Sequence, residues 1–240
     1  KSVKNIDLPN PFPRLTWEDA MSNYGSDKPD TRFDIFLQDM KSFTDQSDFN
    51  AFKSVLETGG RVKGLVSPNS STYSRKVIDE LTDYLKKYFG AKGLAWMKCV
   101  DGKLDGGISK FFPESVQNDI ISDLKIENDS ILFIVGDAER IVFASLGALR
   151  LELGNRENLI KENIWAPLWV VDFPLVEWNE DKDRWDALHH PFTSPNLEDL
   201  DKLDNDPGSV RSLGYDVVMN GYELGGGSIR IHDKELQAKI

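Results

Sequence analysis

The 240-residue chain carries 29 basic and 40 acidic residues, for a formal net charge of −11, and 40% of it is hydrophobic; it exceeds a typical domain of ~100–200 residues and can bury more than one core. Its longest apolar runs, such as ILFIV, fall far short of the ~20 residues that a membrane-spanning helix needs, so it reads as soluble and cytoplasmic. Cys99, the single cysteine, excludes an internal disulfide and a multi-cysteine metal cluster.

Taken in chain order, Arg61 to Val66 reads as a short strand ending at Ser67-Pro68. Ser70 or Ser71 then caps a helix running to Phe89, with Gly90 as its stop. Val77, Leu81, Tyr84, Leu85 and Tyr88 supply the apolar stripe that lays this helix on a sheet. Leu94 to Val100 is the next strand, with Cys99 a buried structural thiol; DGKLDGG is a turn, and Pro113 to Leu124 is a helix with proline at its start. Ile131 to Val135 reads as a buried strand. Asp137 caps the following helix, whose Ile141, Val142, Ser145, Leu149 and Leu153 face one way until Gly154 ends it. Acidity concentrates beyond this region: Asn155 to Ile240 holds 9 basic and 17 acidic residues. Its clusters at Glu177 to Asp186 and Glu198 to Asp206 read as solvated loops.

The most informative stretch is the run YDVVMNGYELGGGSIRIH, which ends at His232. Alternation of Val217 with Met219 and of Ile229 with Ile231 favours strand, and on the second segment Ser228, Arg230 and His232 share the opposite face. Gly225, Gly226 and Gly227 allow a ligand or another backbone to approach, or else mark a bulge or turn. An arginine fork matches a carboxylate bidentately, and hard carboxylates such as Asp216 and Glu223 suit Mg²⁺. Taken singly, an acid or an arginine on a strand is usually just solvated. His189 and His190, being consecutive, project to opposite sides of an extended strand and make a poor joint metal site. A metal hydrolase built on Asp172, Asp186, His189 and His190 likewise lacks convincing ligand spacing.

This run occurs in order with WAPLWVVDFPLVEW and ALHHPFTSP, and with YGSDKPDTRF upstream. Together the four segments resemble the bacterial-type aspartyl-tRNA synthetases of class II. The resemblance implies an α+β chain containing part of an antiparallel catalytic sheet that holds ATP, Mg²⁺ and aspartate, where aspartate is adenylated and passed to tRNA. It implies that Glu223 contacts ATP through the metal, that Asp216 is a second metal-side carboxylate, and that Ser228 lies on the ATP side. Arg230 would grip the side-chain carboxylate of aspartate, His189 would contact the amino acid, and His190 would respond to it. Asp216, Glu223 and Arg230 are successively seven residues apart, so a regular strand would separate them. Irregularities near Gly221 and within Gly225 to Gly227 are therefore expected, bringing the three to one concave surface with His189 nearby.

GGIS, FIVGDAERIV and SLGALRLELG resemble the insertion domain shared with subunits of tRNA-dependent amidotransferases, which implies a two-layer α/β unit at 35–154 between catalytic segments 1–34 and 155–240. The family form often reads FGAD where this chain has Val135-Gly136-Asp137. Similar synthetases are homodimers and carry an anticodon-binding barrel, a dimer-forming segment and phosphate-binding arginines in further segments. The chain is thus expected to be an inactive fragment, and without a basic stripe it should bind tRNA weakly or not at all. The alternative is a non-enzymatic, tRNA-orienting or interaction module of the amidotransferase type, which would not be expected to carry the flanking motifs.

Overall fold

A computed structural model describes residues 6–240. Its strands are β1 (Arg14–Thr16), β2 (Gln38–Asp39), β3 (Arg61–Ser67), β4 (Ala95–Val100), β5 (Lys103–Asp105), β6 (Ile131–Asp137), β7 (Pro167–Val171), β8 (Val176–Asn179), β9 (Arg184–Ala187), β10 (Gly214–Met219) and β11 (Tyr222–Ser228). Its α-helices are α1 (Trp17–Tyr24), α2 (Lys41–Asp45), α3 (Asn50–Glu57), α4 (Arg75–Phe89), α5 (Glu114–Asp123), α6 (Glu139–Arg156) and α7 (Lys234–Lys239). The chain divides into two compact units. One contains the described residues up to Met21 together with Asp27–Arg32 and Asn163–Ile240, and the other contains Ser22–Ser26 and Phe33–Glu162. No helix among the described residues is long and apolar enough to cross a membrane.

The second unit is built on an antiparallel sheet ordered β2-β3-β6-β4-β5. Its central strand explains the unbroken apolar run: Ile131 through Val135 are all 0% exposed, because both faces of β6 are covered. Leu132 and Ile134 join a core with Met40, Phe52, Val62 and Ile120 from the α2, α3 and α5 side. On the other face Phe133 meets Tyr73, and α6 packs on β3 and β6. Burying each of these large side chains contributes about 1.5–3 kcal/mol. The fold is α+β, but helices lie against both faces of this sheet, adding a layer to the two that the resemblance implies.

Several local expectations shift here. Helix α4 is capped by Ser74, whose hydroxyl accepts the Val77 amide at 3.4 Å, rather than by Ser70 or Ser71. Ser70–Thr72 forms a separate 3₁₀ turn, and Lys98 Nζ donates to the carbonyls of Ser70 and Tyr73 at 2.9 Å each. Gly90 does end the helix, at φ 77°. The buried stripe is Ile78, Leu81 and Leu85, while Tyr84 and Tyr88 stand outside. DGKLDGG is more than a turn, since it contains β5, which forms a hairpin with β4.

Asp137 belongs to β6 and does not cap α6; its carboxylate accepts the Ala138 and Lys92 amides. Gly154 lies inside α6 rather than ending it, in a position where a Cβ would meet the Phe33 ring at 2.9 Å. A second helical glycine, Gly147, admits the backbone of Gly25, whose own φ is +67°. Beside this contact Arg150, 1% exposed, donates to the carbonyls of Phe33 and Ile35 and lies over the rings of Phe33 and Tyr24.

In the first unit the sheet order is β1-β7-β10-β11. β1 runs parallel to β7 and the other pairs are antiparallel, so the sheet is mixed where an antiparallel one was implied. Leu168, Val170 and Val218 form one apolar face with Ala20 of α1 and Phe173. Helix α1 is capped by Thr16, the residue before it, whose hydroxyl accepts the Asp19 amide at 3.1 Å.

The two acidic stretches are structured rather than loose. Glu177 to Asp186 spans most of the β8–β9 hairpin, pinned by the cross-strand pair Trp178–Trp185 with ring centroids 5.3 Å apart. Leu197–Lys202 is a 3₁₀ helix whose Asp199 is only 2% exposed. Arg211 donates to it first, through Nε at 2.7 Å and through its backbone amide at 3.1 Å, and Lys202 adds a bond at 2.7 Å.

These partners hold the Asp199 carboxyl well below the usual carboxylate range. A carboxyl depressed in this way stabilises the fold above its unfolded value of ~3.9 and loses that contribution as pH falls toward its folded value. Asp199→Asn should therefore cost roughly 1.5–3 kcal/mol at pH 7. In urea unfolding at a series of pH values the gap to wild type should narrow below about pH 4; a constant gap would contradict the assignment.

Candidate functional site

The site is organised by the β10–β11 hairpin. Asn220 and Gly221 sit at its tip with φ of 56° and 86°, the two left-handed residues that a tight hairpin turn demands and that Asn-Gly supplies at least cost. The Asn220 side chain is held at both ends, accepting the Ala166 amide at 2.9 Å and donating to the Ile164 carbonyl at 2.8 Å. The break expected near Gly221 is thus a full chain reversal and not a bulge.

The second irregularity is a bulge beside the glycines. Val217 pairs with Gly225 but Val218 pairs with Glu223, leaving Leu224 as the extra residue. Directly opposed residues point to the same face, so Glu223 shares the face of Val218 and hence of Asp216. Without the bulge Glu223 would lie on the other face from Gly226 and Ser228. Beyond β11, Arg230 bridges to Thr193, and Thr193 Oγ1 lies 3.1 Å from Ser228 Oγ. Asp216, Glu223, Ser228 and Arg230 therefore line one face.

The three consecutive glycines have different reasons. A Cβ on Gly226 would overlap the Asp216 carboxylate, and a Cβ on Gly227 would meet Tyr215 Oη at 2.9 Å. Both glycines make room for a neighbour's side chain on the partner strand, not for a ligand. Gly225 alone faces open space.

Asp216 is 7% exposed, whereas Glu223, Arg230, His189 and His190 are exposed. Burial, then the charge of Glu223, pushes the Asp216 carboxyl above its ordinary range, with Asp27 adding to this and His189 and Lys28 opposing it. His189 thus stands close enough to be felt by Asp216, with its ring edge-on to Phe173 at 4.4 Å. His190 turns onto its own loop, where Nδ1 accepts the Phe192 amide at 3.1 Å.

Asp186 is held by Asn179, Lys182 and Arg184. Among the described residues no group of three or more His, Cys, Asp or Glu could hold a metal ion. A cavity of about 600 Å³, lined in part by Arg14, Trp169, Val171, Tyr215 and Ile229, belongs to the face of the sheet opposite Asp216 and Glu223.

Thr193, Asp27 and Lys28 escaped the reading of the sequence. Thr193 sits inside ALHHPFTSP, and the other two inside YGSDKPDTRF, a segment whose alternating charges and proline were the available signal.

A sequence profile of the class II tRNA synthetases (D, K and N) matches residues 1–240. The chain belongs to this family. Class II relatives include the aspartate–tRNA ligases of Halalkalibacterium halodurans and Staphylococcus saprophyticus, 51% and 47% identical over 241 residues each. The aspartate–tRNA(Asp/Asn) ligase of Caldanaerobacter subterraneus subsp. tengcongensis is 46% identical over 240 residues. Each match covers 100% of this chain and 40 or 41% of the relative, so the chain spans about 40% of the length of these synthetases.

A carboxyl raised in the folded state stabilises the fold fully below its unfolded value of ~3.9 and ceases to do so as pH rises through its folded value. Ionised Asp216 is thus a burden on the fold at neutral pH. Asp216→Asn should raise the melting temperature at pH 7 by a few degrees, a difference that closes below about pH 4; scanning calorimetry across that range checks it, and a lowered melting temperature at pH 7 would mean that the Asp216 carboxyl is not raised in the fold.

Proposed function

We propose that the chain is part of an aspartate–tRNA ligase, a cytoplasmic homodimer that activates aspartate with ATP and transfers it to tRNA, and that the hairpin face is the amino-acid side of its active site. The observation that carries the reading is the assembly of two carboxylates and a guanidinium on one face by a turn and a bulge, in a chain whose relatives are named aspartate–tRNA ligases. The alternative of a non-enzymatic amidotransferase-type module loses ground, since the family match runs through both flanks.

In this reading Arg230 receives the side-chain carboxylate of aspartate. It favours aspartate over asparagine, whose neutral amide leaves charged donors poorly matched, and it repels lysine outright. Thr193 orients the Arg230 segment through their β-bridge. His189 completes the amino-acid side, and His190, bonded to the Phe192 amide, ties that loop's conformation to the occupant. Ser228, next to Thr193, lies on the ATP side.

Asp216 and Glu223 fit Mg²⁺. They are hard oxygen donors that repel each other until a cation intervenes, and two carboxylates leave coordination positions for water and phosphate. The ion, when bound, neutralises charge on the phosphates. The chemical step is attack of the substrate α-carboxylate on the α-phosphorus with departure of pyrophosphate; the terminal tRNA hydroxyl then attacks the acyl carbon and AMP leaves. These side chains contribute alignment and fixed charge rather than covalent chemistry. The 35–154 region, with no catalytic constellation of its own, is a structural or tRNA-orienting insertion.

The test is amino-acid-dependent ATP–pyrophosphate exchange by a protein of the relatives' full length containing this chain. Aspartate should support exchange and asparagine and lysine should not, while the 240-residue chain alone should give none; exchange that prefers asparagine or lysine would overturn the proposal. Arg230→Lys keeps the charge but loses the planar fork, so kcat/KM for aspartate should fall by about 2–4 kcal/mol, roughly 30- to 1000-fold. An unchanged value would remove Arg230 from the aspartate side.

A further inference from the structure

We propose that Asp30 and Arg32 are positioning residues: they support the tip of the β10–β11 hairpin and thereby fix the pitch of Glu223 toward Asp216. The proposal rests on the reading of those two carboxylates as the cation-binding pair, and it concerns a segment to which the functional reading gives no role.

Asp30 is a carboxylate at 3% exposure in a short connecting segment. A group of that kind is normally kept only when paired and hydrogen-bonded. Arg32, two residues on, donates from Nη2 to Oδ2 at 2.6 Å, from Nε to Oδ1 at 2.9 Å, and from its backbone amide to Oδ1 at 3.1 Å. The bidentate fork and the backbone bond together fold Asp30–Arg32 into a rigid knot.

The knot faces the hairpin tip. A Cβ added to Gly221 would meet Asp30 Cβ at 3.4 Å and Asp30 N at 4.0 Å, so Asp30 lies directly against the tip. From elsewhere in the chain, Ile164–Ala166 holds the Asn220 side chain. The two tip residues are thus each addressed by a different segment, and Glu223 follows the tip by two positions.

At its other end the Asp27–Arg32 segment brings Asp27 and Lys28 into the electrostatic surroundings of Asp216. One short segment therefore reaches both the hairpin tip and the surroundings of Asp216. An ion pair buried in this way adds little net stability compared with an apolar replacement; what it supplies here is geometry, since a loose tip would let Glu223 swing away from Asp216.

The test has two arms. In the 240-residue chain, Asp30→Asn and the milder Arg32→Lys should speed amide hydrogen exchange at 220–224 at least tenfold while β3 and β6 stay protected. Unchanged exchange at the tip in a variant that folds overturns the proposal, whatever the enzyme does. In a full-length synthetase containing the chain, the Mg²⁺ concentration for half-maximal exchange should rise at least fivefold in Arg32→Lys, with KM for aspartate within twofold and with rescue by excess Mg²⁺. A fall in kcat with an unaltered Mg²⁺ requirement marks a merely structural role and overturns the proposal. If the wild-type protein gives no aspartate-dependent exchange, the functional reading fails, and the hydrogen-exchange arm still decides whether the knot supports the tip.

Discussion

Two carboxylates that repel each other, one of them nearly buried, are the constraint around which the first unit is arranged. Asp216 lies over Gly226 because no side chain would fit there, and Glu223 reaches the same face because Leu224 is an extra residue in β11. Neither feature helps an isolated hairpin. A glycine weakens a strand and a bulge interrupts its ladder; what the two do together is put Asp216 and Glu223 on one face. The apolar packing of Leu168, Val170 and Val218 on the same face supplies the rigid base from which Asp216 projects.

Much of the second unit was legible from apolar periodicity. The run at 131–135 announced a strand covered on both faces, and Gly90 announced a helix end. The errors share a physical cause, which is that a local signal had more than one use. Ser70, Ser71 and Ser74 are all competent caps, and the choice fell to Ser74 because Lys98 draws the carbonyls of Ser70 and Tyr73 into a turn of their own. Gly154 looks like a stop in sequence, yet it serves as a gap for the Phe33 ring across more than a hundred residues. Asp137 looks like a cap, yet its carboxylate faces Lys92. Tertiary partners of this kind leave no local trace.

At the site the residue types were readable and the wiring was not. Parity required two breaks between Asp216 and Arg230, and the glycines indicated where. That the first is a reversal follows from Asn-Gly, a pair that favours left-handed turns. Thr193 and the Asp27–Arg32 segment were beyond reach because their positions depend on long-range pairing, as with the Thr193–Arg230 bridge. The acidic stretches were misread for a related reason: Asp199 is drawn inside by Arg211, twelve residues away, and composition does not show which acid of a cluster finds such a partner.

The parallel pairing of β1 with β7 has a consequence for the order in which the molecule can form. Arg14 finds its partner in Trp169, 155 positions later, and the whole of the second unit is encoded between them. At a synthesis rate of ~5–20 residues per second, β1 leaves the ribosome roughly 8–30 s before β7 exists. During that interval the second unit, whose pairings all close within its own span, can complete its sheet and helices. The edge of β1 must meanwhile be kept from improper partners. Of the two units, the one whose sheet bears the candidate site is therefore the later to assemble.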